Sequence, residues 1–334
     1  MSEELRLSYS KIKNWRHCRQ SFKYAHIDRI EPKKKPVPMQ LGSAVHAMIE
    51  SYRGGHDWMH VWGQIRDDWS KLLQEEREHY GDIPGDSKQI VEGYIDQWKE
   101  SDKGYIFTEV EKVFGPYELV PGVVISVTPD AIVEDTMGRH LLLEMKTGKK
   151  LPPEDFHLWN LQTLIYVWGV RQAGYKVEGV LWDHVRTKIP TVPRILKDGT
   201  MSKRILDTTA SVYTRALIEN NLSPDDYADV IDVLRNRKEF YSRVKLPVKE
   251  KMLFHLMSDV RTTATEIRDF MHTHITRDVS QMKCPRCMYR GLCEAALMGG
   301  DEDYVLEHDF VPKERRNYEE REHGRDTDES DASA

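Results

Sequence analysis

The spacing of apolar and polar positions changes character several times along this 334-residue chain. Residues 7–30, "LSYSKIKNWRHCRQSFKYAHIDRI", place Ile12, Trp15 and Phe22 at helical spacing, with Ser8 or Ser10 available as a cap. "EPKKKPVP" interrupts that pattern with prolines, and "LGSAVHAMIESY" opens a mostly helical region that runs to about residue 101, broken by a loop at "GDIPGDS". From "YIFTEVEKVFG" the period shortens to that of strands. It continues through "VVISVTPDAIVED" and "HLLLEMKTG", with "TMGR" as the turn between the last two. "PPEDFHLWNLQTLIYVWGVRQAG" returns to helical spacing, with prolines and acids at its start and a glycine at its end. "YKVEGVLWDHVR" is again strand-like, so helix, three strands, helix and strand follow one another, which predicts an α/β sandwich with a mixed sheet. Residues 205–275 add helices around "SVYTRALIENN" and "KEKMLFHLMSDVRTTATEIRDFMHT", separated by a strand-like "EFYSRVKLPV". Four regions result: a helical one over 1–104, a strand-rich core over 105–200, a helical one over 201–300, and a tail over 301–334.

With 39% hydrophobic residues the chain can bury a proper core. No stretch approaches the roughly 18 consecutive apolar residues of a membrane span, and "MSEELRLSYSKIKNW" has no apolar signal core, so a cytoplasmic location and no membrane partner are expected. The formal net charge of −6 is concentrated at one end. Residues 301–334 carry thirteen acids and five bases, a net of −8, which leaves residues 1–300 at +2. "KERRNYEEREHGRDTDESDASA" is nearly devoid of apolar residues and is expected to be a disordered, solubilising tail. No G-x-x-x-x-G-K-[ST] phosphate loop is present, which argues against an ATP-driven motor.

An acid and a base share one face at the end of the apolar run "LLLEMKTGKK", because Glu144 and Lys146 are two apart on a strand while Met145 points away into packing. If "TMGR" closes a hairpin, Asp130 of "SVTPDAIV" faces Glu144 across strands about 4.8 Å apart. Two carboxylates that close repel unless a cation joins them, and hard oxygen ligands suit Mg²⁺ or Mn²⁺. The Met145 carbonyl would lie within reach of the same ion, and the Lys146 ammonium could offset charge on a scissile phosphate.

"PD" followed by "EMK" resembles the PD-(D/E)XK nuclease superfamily. "LGSAVH" is similar to the Gly-x-x-x-His motif of its RecB-like branch, which implies that His46 is a metal ligand, and "QTLIY" is similar to the branch's Gln-x-x-x-Tyr motif. Gln162 and Tyr166 are i and i+4 on one helix face. The resemblance implies that they position the lysine and the nucleic-acid strand, and it implies a restriction-endonuclease-like αβββαβ core. One departure is "VTPD", where these nucleases more often have a glycine two or three residues before the aspartate.

Cys18 stands apart from Cys284, Cys287 and Cys293 of "CPRCMYRGLC". Such grouping in a cytosolic chain argues for a soft metal centre, with Zn²⁺ and an iron–sulfur cluster both open. The one-plus-three division disfavours the paired knuckles of zinc ribbons. It is similar to the RecB-like nucleases of the AddB and CRISPR-associated exonuclease type, and implies a [4Fe–4S] cluster on these four cysteines that clamps the added helical regions.

The expected function is a metal-dependent DNA exonuclease that uses Asp130, Glu144, Lys146, Gln162 and Tyr166. Its ions would sit on His46, Asp130, Glu144 and the Met145 carbonyl. Lys33, Lys34, Lys35, Lys149, Lys150, Arg186 and Lys188, with Trp15 and Tyr24, are candidates for a groove that holds strand ends. The resemblance implies single-stranded or open-ended DNA as partner, in phage recombination or replication or in CRISPR-type end processing with partner proteins. A catalytically silent DNA-binding subunit and an RNA-processing nuclease are the alternatives.

Overall fold

The computed structural model describes residues 4–34, 36–153, 157, 160–204, 207–273 and 275–313. In chain order it forms β1 (Leu5–Leu7), α1 (Tyr9–His17), α2 (Arg19–Phe22), β2 (Ile30–Pro32), α3 (Val37–Arg53), α4 (Trp58–Ser70), α5 (Gln74–Tyr80) and α6 (Ile83–Trp98). The strand-rich part follows: β3 (Tyr105–Val110), β4 (Phe114–Val120), β5 (Val123–Val127), β6 (Ala131–Asp135), β7 (His140–Gly148), α7 (Leu161–Gln172) and β8 (Val177–Arg186). The chain continues with α8 (Ala210–Glu219), α9 (Ala228–Asn236), β9 (Tyr241–Pro247), α10 (Glu250–Phe270), α11 (Arg290–Met298), α12 (Glu302–Asp309) and β10 (Phe310–Pro312). None of the described helices is long and apolar enough to cross a membrane.

Two compact units result, one of residues 1–12 and 35–268, the other of 13–34 and 269–334. The larger is built on a five-stranded sheet in the order β3-β6-β7-β8-β9. Its neighbours are antiparallel except β7 and β8, whose parallel pairing is made by the crossover through α7. Leu141, Leu142, Leu143, Glu144 and Met145 are all buried, as expected of a strand covered on both faces. Met145 and Val185 pack against α3 and α6 through Val45, Met48, Ile49, Ile90 and Tyr94. A second sheet, β1-β5-β4, has β1 parallel to β5.

The mixed α/β fold agrees with expectation, but its segmentation is finer. "VVISVTPDAIVED" is cut into β5 and β6, which belong to different sheets. Pro129 has no N–H to give a ladder, so the chain bends there and leaves Asp130 just ahead of β6. "YIFTEVEKVFG" is likewise split into β3 and β4, with Glu111 at a positive φ of 48°. The helix expected over 7–30 begins after a short strand, breaks at extended Cys18, resumes in α2 and ends in a π-helical turn, Lys23–Ile27. The loop at "GDIPGDS" is in fact the start of α6: Asp82 caps the Gly85 N–H and Pro84 occupies the first turn, where no N–H is needed. In "PPEDFHLWNLQTLIYVWGVRQAG" the described helix α7 begins at Leu161, where the Asn160 side chain accepts from Thr163 N–H at 3.2 Å, and residues 154–156 and 158–159 lie outside the described ones.

The smaller unit has a core of Tyr24, Ala25, Tyr289, Leu292 and Phe310. β2 and β10 pair antiparallel, from Ile30 opposite Pro312 to Pro32 opposite Phe310. The tail region expected from residue 301 thus begins with a helix and a paired strand, and residues 314–334 lie outside the described ones. Trp15 and Tyr24 are 3% and 7% exposed, so they are core side chains and do not offer faces for stacking bases. Trp15 meets Phe22 edge-on, and Tyr24 packs on Tyr289.

Candidate active site

The β6–β7 hairpin pairs Ala131 with Leu143, so the next step of the register brings Asp130 beside Glu144. Asp130 Oδ2 accepts a short hydrogen bond from the Met145 N–H and lies 3.4 Å from His46 Nε2. Burial works against the Asp130 carboxylate, but His46, Lys146 and the Met145 N–H outweigh it and hold its pKa low. Burial also opposes the His46 imidazolium, yet the hydrogen bond and charge of Asp130 raise its pKa. Glu144 is fully buried; burial, then the charge of Asp130, push its pKa up to about 8. Its Oε2 has no hydrogen-bond partner among the described residues. A buried carboxylate oxygen without a donor, one strand away from a second carboxylate, is the donor chemistry that a divalent cation satisfies.

Lys146 Nζ lies 2.5 Å from Glu144 Oε1 and 3.1 Å from Gln162 Oε1, and Gln162 Nε2 donates to Tyr166 Oη at 3.0 Å. The i, i+4 spacing on α7 therefore forms a relay: the tyrosine fixes the amide, whose oxygen can only accept, and the amide fixes the ammonium.

The spacing in "LGSAVH" has a steric reason. A Cβ on Gly42 would stand 2.8 Å from Thr147 Oγ1, so α3 approaches β7 at that point, and one turn later His46 reaches Asp130. Gly42→Ala should be tolerated, because the threonine hydroxyl can rotate. Gly42→Val is expected to cost about 1–3 kcal/mol by overpacking and to weaken Mn²⁺ binding, read by thermal melts with and without the ion. Wild-type behaviour of the valine variant would rule out this account of the motif.

Two side chains at the site have no signal in the sequence. Glu111 offers a carboxylate oxygen that, with atoms of His46 and Asp130, forms a group lying within 4.8 Å of one another. Its N–H donates to the Asp130 carbonyl at 3.1 Å, and its positive φ turns it out of the β3 alternation. Nothing in "TEVEKVF" distinguishes it from Glu109, which lies 2.7 Å from Lys112. Tyr9, half-buried, has its phenol pKa raised by burial and feels the charges of Lys146 and Glu144, so it borders the same site.

In the smaller unit Cys18, Cys284, Cys287 and Cys293 line one cavity of about 300 Å³. Burial, then the neighbouring thiols, raise the Cys287 pKa; Cys293 is likewise raised by burial, with Arg277 opposing. Four convergent soft donors on one cavity fit a thiolate-bound centre.

The expected basic groove is less uniform. Arg186 and Lys188 are both held by Asp207, and Lys33 Nζ donates to the Glu307 carbonyl. Lys34, Lys149 and Lys150 are exposed, and Lys35 lies outside the described residues.

A family model for the PD-(D/E)XK nuclease superfamily matches residues 6–294. No curated protein matches the chain in sequence. Solved structures with loose similarity include that of SSO0001, with TM-score 0.34, 13% identity, and coverage of 88% of this chain and 88% of that one. Another is a candidate exonuclease from Eubacterium rectale, with TM-score 0.38, 14% identity, and coverage of 75% of this chain and 93% of that one.

Proposed function

Since the chain belongs to the PD-(D/E)XK nuclease superfamily, we propose that it is a divalent-metal-dependent DNA exonuclease of the RecB-like branch, acting on strand ends. The observation that carries this reading is the single connected cluster of Asp130, Glu144, Lys146, His46, Gln162 and Tyr166. A catalytically silent DNA-binding subunit would have no use for that arrangement.

His46, Asp130 and Glu144 would hold Mg²⁺ or Mn²⁺, with Glu111 and the Met145 carbonyl as further oxygens. Such an ion supplies Lewis acidity toward the phosphate and lowers the pKa of bound water. The protein's own groups do the rest. The Lys146 ammonium, fixed by Glu144 and Gln162, faces charge that builds on the scissile phosphate. Tyr166 acts through Gln162 as a positioning residue. The Glu144 carboxylate, closed off from water, is kept for the ion and for Lys146.

The test is digestion of end-labelled single-stranded DNA, duplex DNA and RNA with Mg²⁺, Mn²⁺ or chelator. Stepwise loss of nucleotides from DNA ends, abolished by chelation, is expected. Cleavage of RNA alone, or cleavage that persists in chelator, would refute the reading.

The four cysteines are proposed to hold a [4Fe–4S] cluster. What supports this reading is the one-plus-three division of the cysteines in sequence and their place on one cavity of the smaller unit. Anaerobically purified protein is therefore expected to be brown, with broad absorbance in the visible blue that Cys293→Ser diminishes. A colourless protein with one zinc per chain would replace the cluster by zinc.

A further inference from the structure

Past β8 the larger unit carries a feature that the catalytic cluster does not use. β8 runs parallel to β7 with His184 beside Lys146 and Arg186 beside Gly148, so the segment that follows leaves the sheet at the level of the active site. It is tied there by the Thr187 N–H to the Gly148 carbonyl at 2.9 Å. Residues 194–202 then form a small antiparallel hairpin. Ile195 bridges Met201, the Leu196 N–H donates to the Thr200 carbonyl at 2.8 Å, and the Ser202 N–H donates to the Arg194 carbonyl at 2.9 Å. Gly199, at φ 82°, closes the turn, and Asp198 braces it by accepting from the Thr200 N–H and hydroxyl at 3.0 and 2.7 Å.

The base of this hairpin is firmly seated. Met201 is buried, its N–H donates to Tyr227 Oη at 2.9 Å, and Tyr213 Oη donates to the Ser202 carbonyl at 3.1 Å. Both tyrosines belong to a separate hydrophobic cluster formed with α8 and α9. The tip is the opposite. On this braced turn Ile195 and Leu196 are 41% and 47% exposed, and Val192, just ahead of it, is 58% exposed. Beside them Arg194, Lys197 and Arg204 make no ion pair among the described residues, whereas Lys203 is paired with Asp229. Between residues 194 and 204 four cations stand against one carboxylate, Asp198, which the turn itself employs.

Rigid support, available cations and an apolar point together suit a polyanion that ends in a flat apolar face. We propose that this hairpin binds the end of a nucleic-acid duplex: Arg194, Lys197 and Arg204 hold backbone phosphates, and Leu196 packs on the terminal base pair. The inference rests on the reading of the catalytic cluster as a nucleic-acid-cleaving site.

Binding and chemistry can be measured apart. The probes are a fluorescent duplex with a short single-stranded overhang, its isolated single strand, and bis(p-nitrophenyl) phosphate as a minimal diester. Binding is read in Ca²⁺ over a salt series, and hydrolysis in Mn²⁺. The Arg194→Glu/Lys197→Glu/Arg204→Glu variant is expected to bind the overhang duplex at least tenfold more weakly. Its log–log salt slope should fall by about 0.9 for each duplex phosphate that the variant no longer neutralises, and its rate on the minimal diester should stay within twofold of wild type. Leu196→Ser should weaken the overhang duplex more than the single strand. Unchanged duplex affinity in the triple variant would overturn the proposal, as would equal loss on the minimal diester. A wild-type protein that binds the overhang duplex through these residues but hydrolyses nothing would sink the nuclease reading and leave the hairpin assignment standing.

Discussion

Replacing Lys146 with alanine should lower the rate of the proposed phosphodiester hydrolysis by about 10²–10³-fold, the usual effect of removing one donor aimed at developing charge. The side chain is held by two acceptors, Glu144 Oε1 and Gln162 Oε1, neither of which a shorter residue can reach. The lesion should therefore be local. Single-turnover digestion at saturating enzyme isolates the chemical step, and metal-dependent thermal stabilisation should survive because His46, Asp130 and Glu144 remain. Gln162→Ala acts through the lysine and should cost less, roughly tenfold, with lysine's loss masking it in the double variant. A Lys146→Ala protein within a few-fold of wild type would remove Lys146 from the mechanism.

The largest loss of stability is expected from Asp183→Ala. Asp183 sits on β8 opposite Met145, fully buried, and its Oδ2 accepts from Arg53 Nη2 at 2.6 Å, Tyr94 Oη at 2.5 Å and Arg243 Nε at 3.1 Å. Arg243 also pairs with Asp102. Removing the shared carboxylate leaves Arg53 buried without a counter-ion, and breaking one partner of such a pair costs about 3–5 kcal/mol. The midpoint of urea unfolding should fall with its slope unchanged. An Arg53→Met/Asp183→Leu pair, which removes both charges, should recover part of the loss. Arg53 ends the helix that carries His46, so activity should fall with stability even though no catalytic group is altered.

Much of this site is readable from local patterns. The strand "LLLEMK", the turn "TMGR", the glycine and histidine one turn apart, and the glutamine and tyrosine one turn apart all follow from periods of two and of about 3.6. Each is found where those periods put it. What escapes depends on backbone bends or on distant pairing. Glu111 enters the site through a positive φ that no pattern of side chains announces. The Pro129 bend moves β5 into another sheet, and sequence alternation continues straight through it. Arg53 meets a carboxylate 130 positions away. Trp15 and Tyr24 resemble surface aromatics in a basic, polar stretch, but both are buried, Tyr24 against Tyr289 from the far end of the chain.

The smaller unit joins residues 13–34 to residues beyond 268, and this has a consequence in time. During synthesis the first segment emerges with Cys18 and β2 long before Cys284, Cys287, Cys293 and β10 exist. At about 5–20 residues per second that interval is roughly 15–60 s, ample for the larger unit to fold on its own. Pairing of Ile30–Pro32 with Phe310–Pro312 can occur only after nearly the whole chain has left the ribosome. Arrested chains from which residue 268 has emerged, but Cys284 has not, should then resist protease in the larger unit while remaining cleavable between 13 and 34.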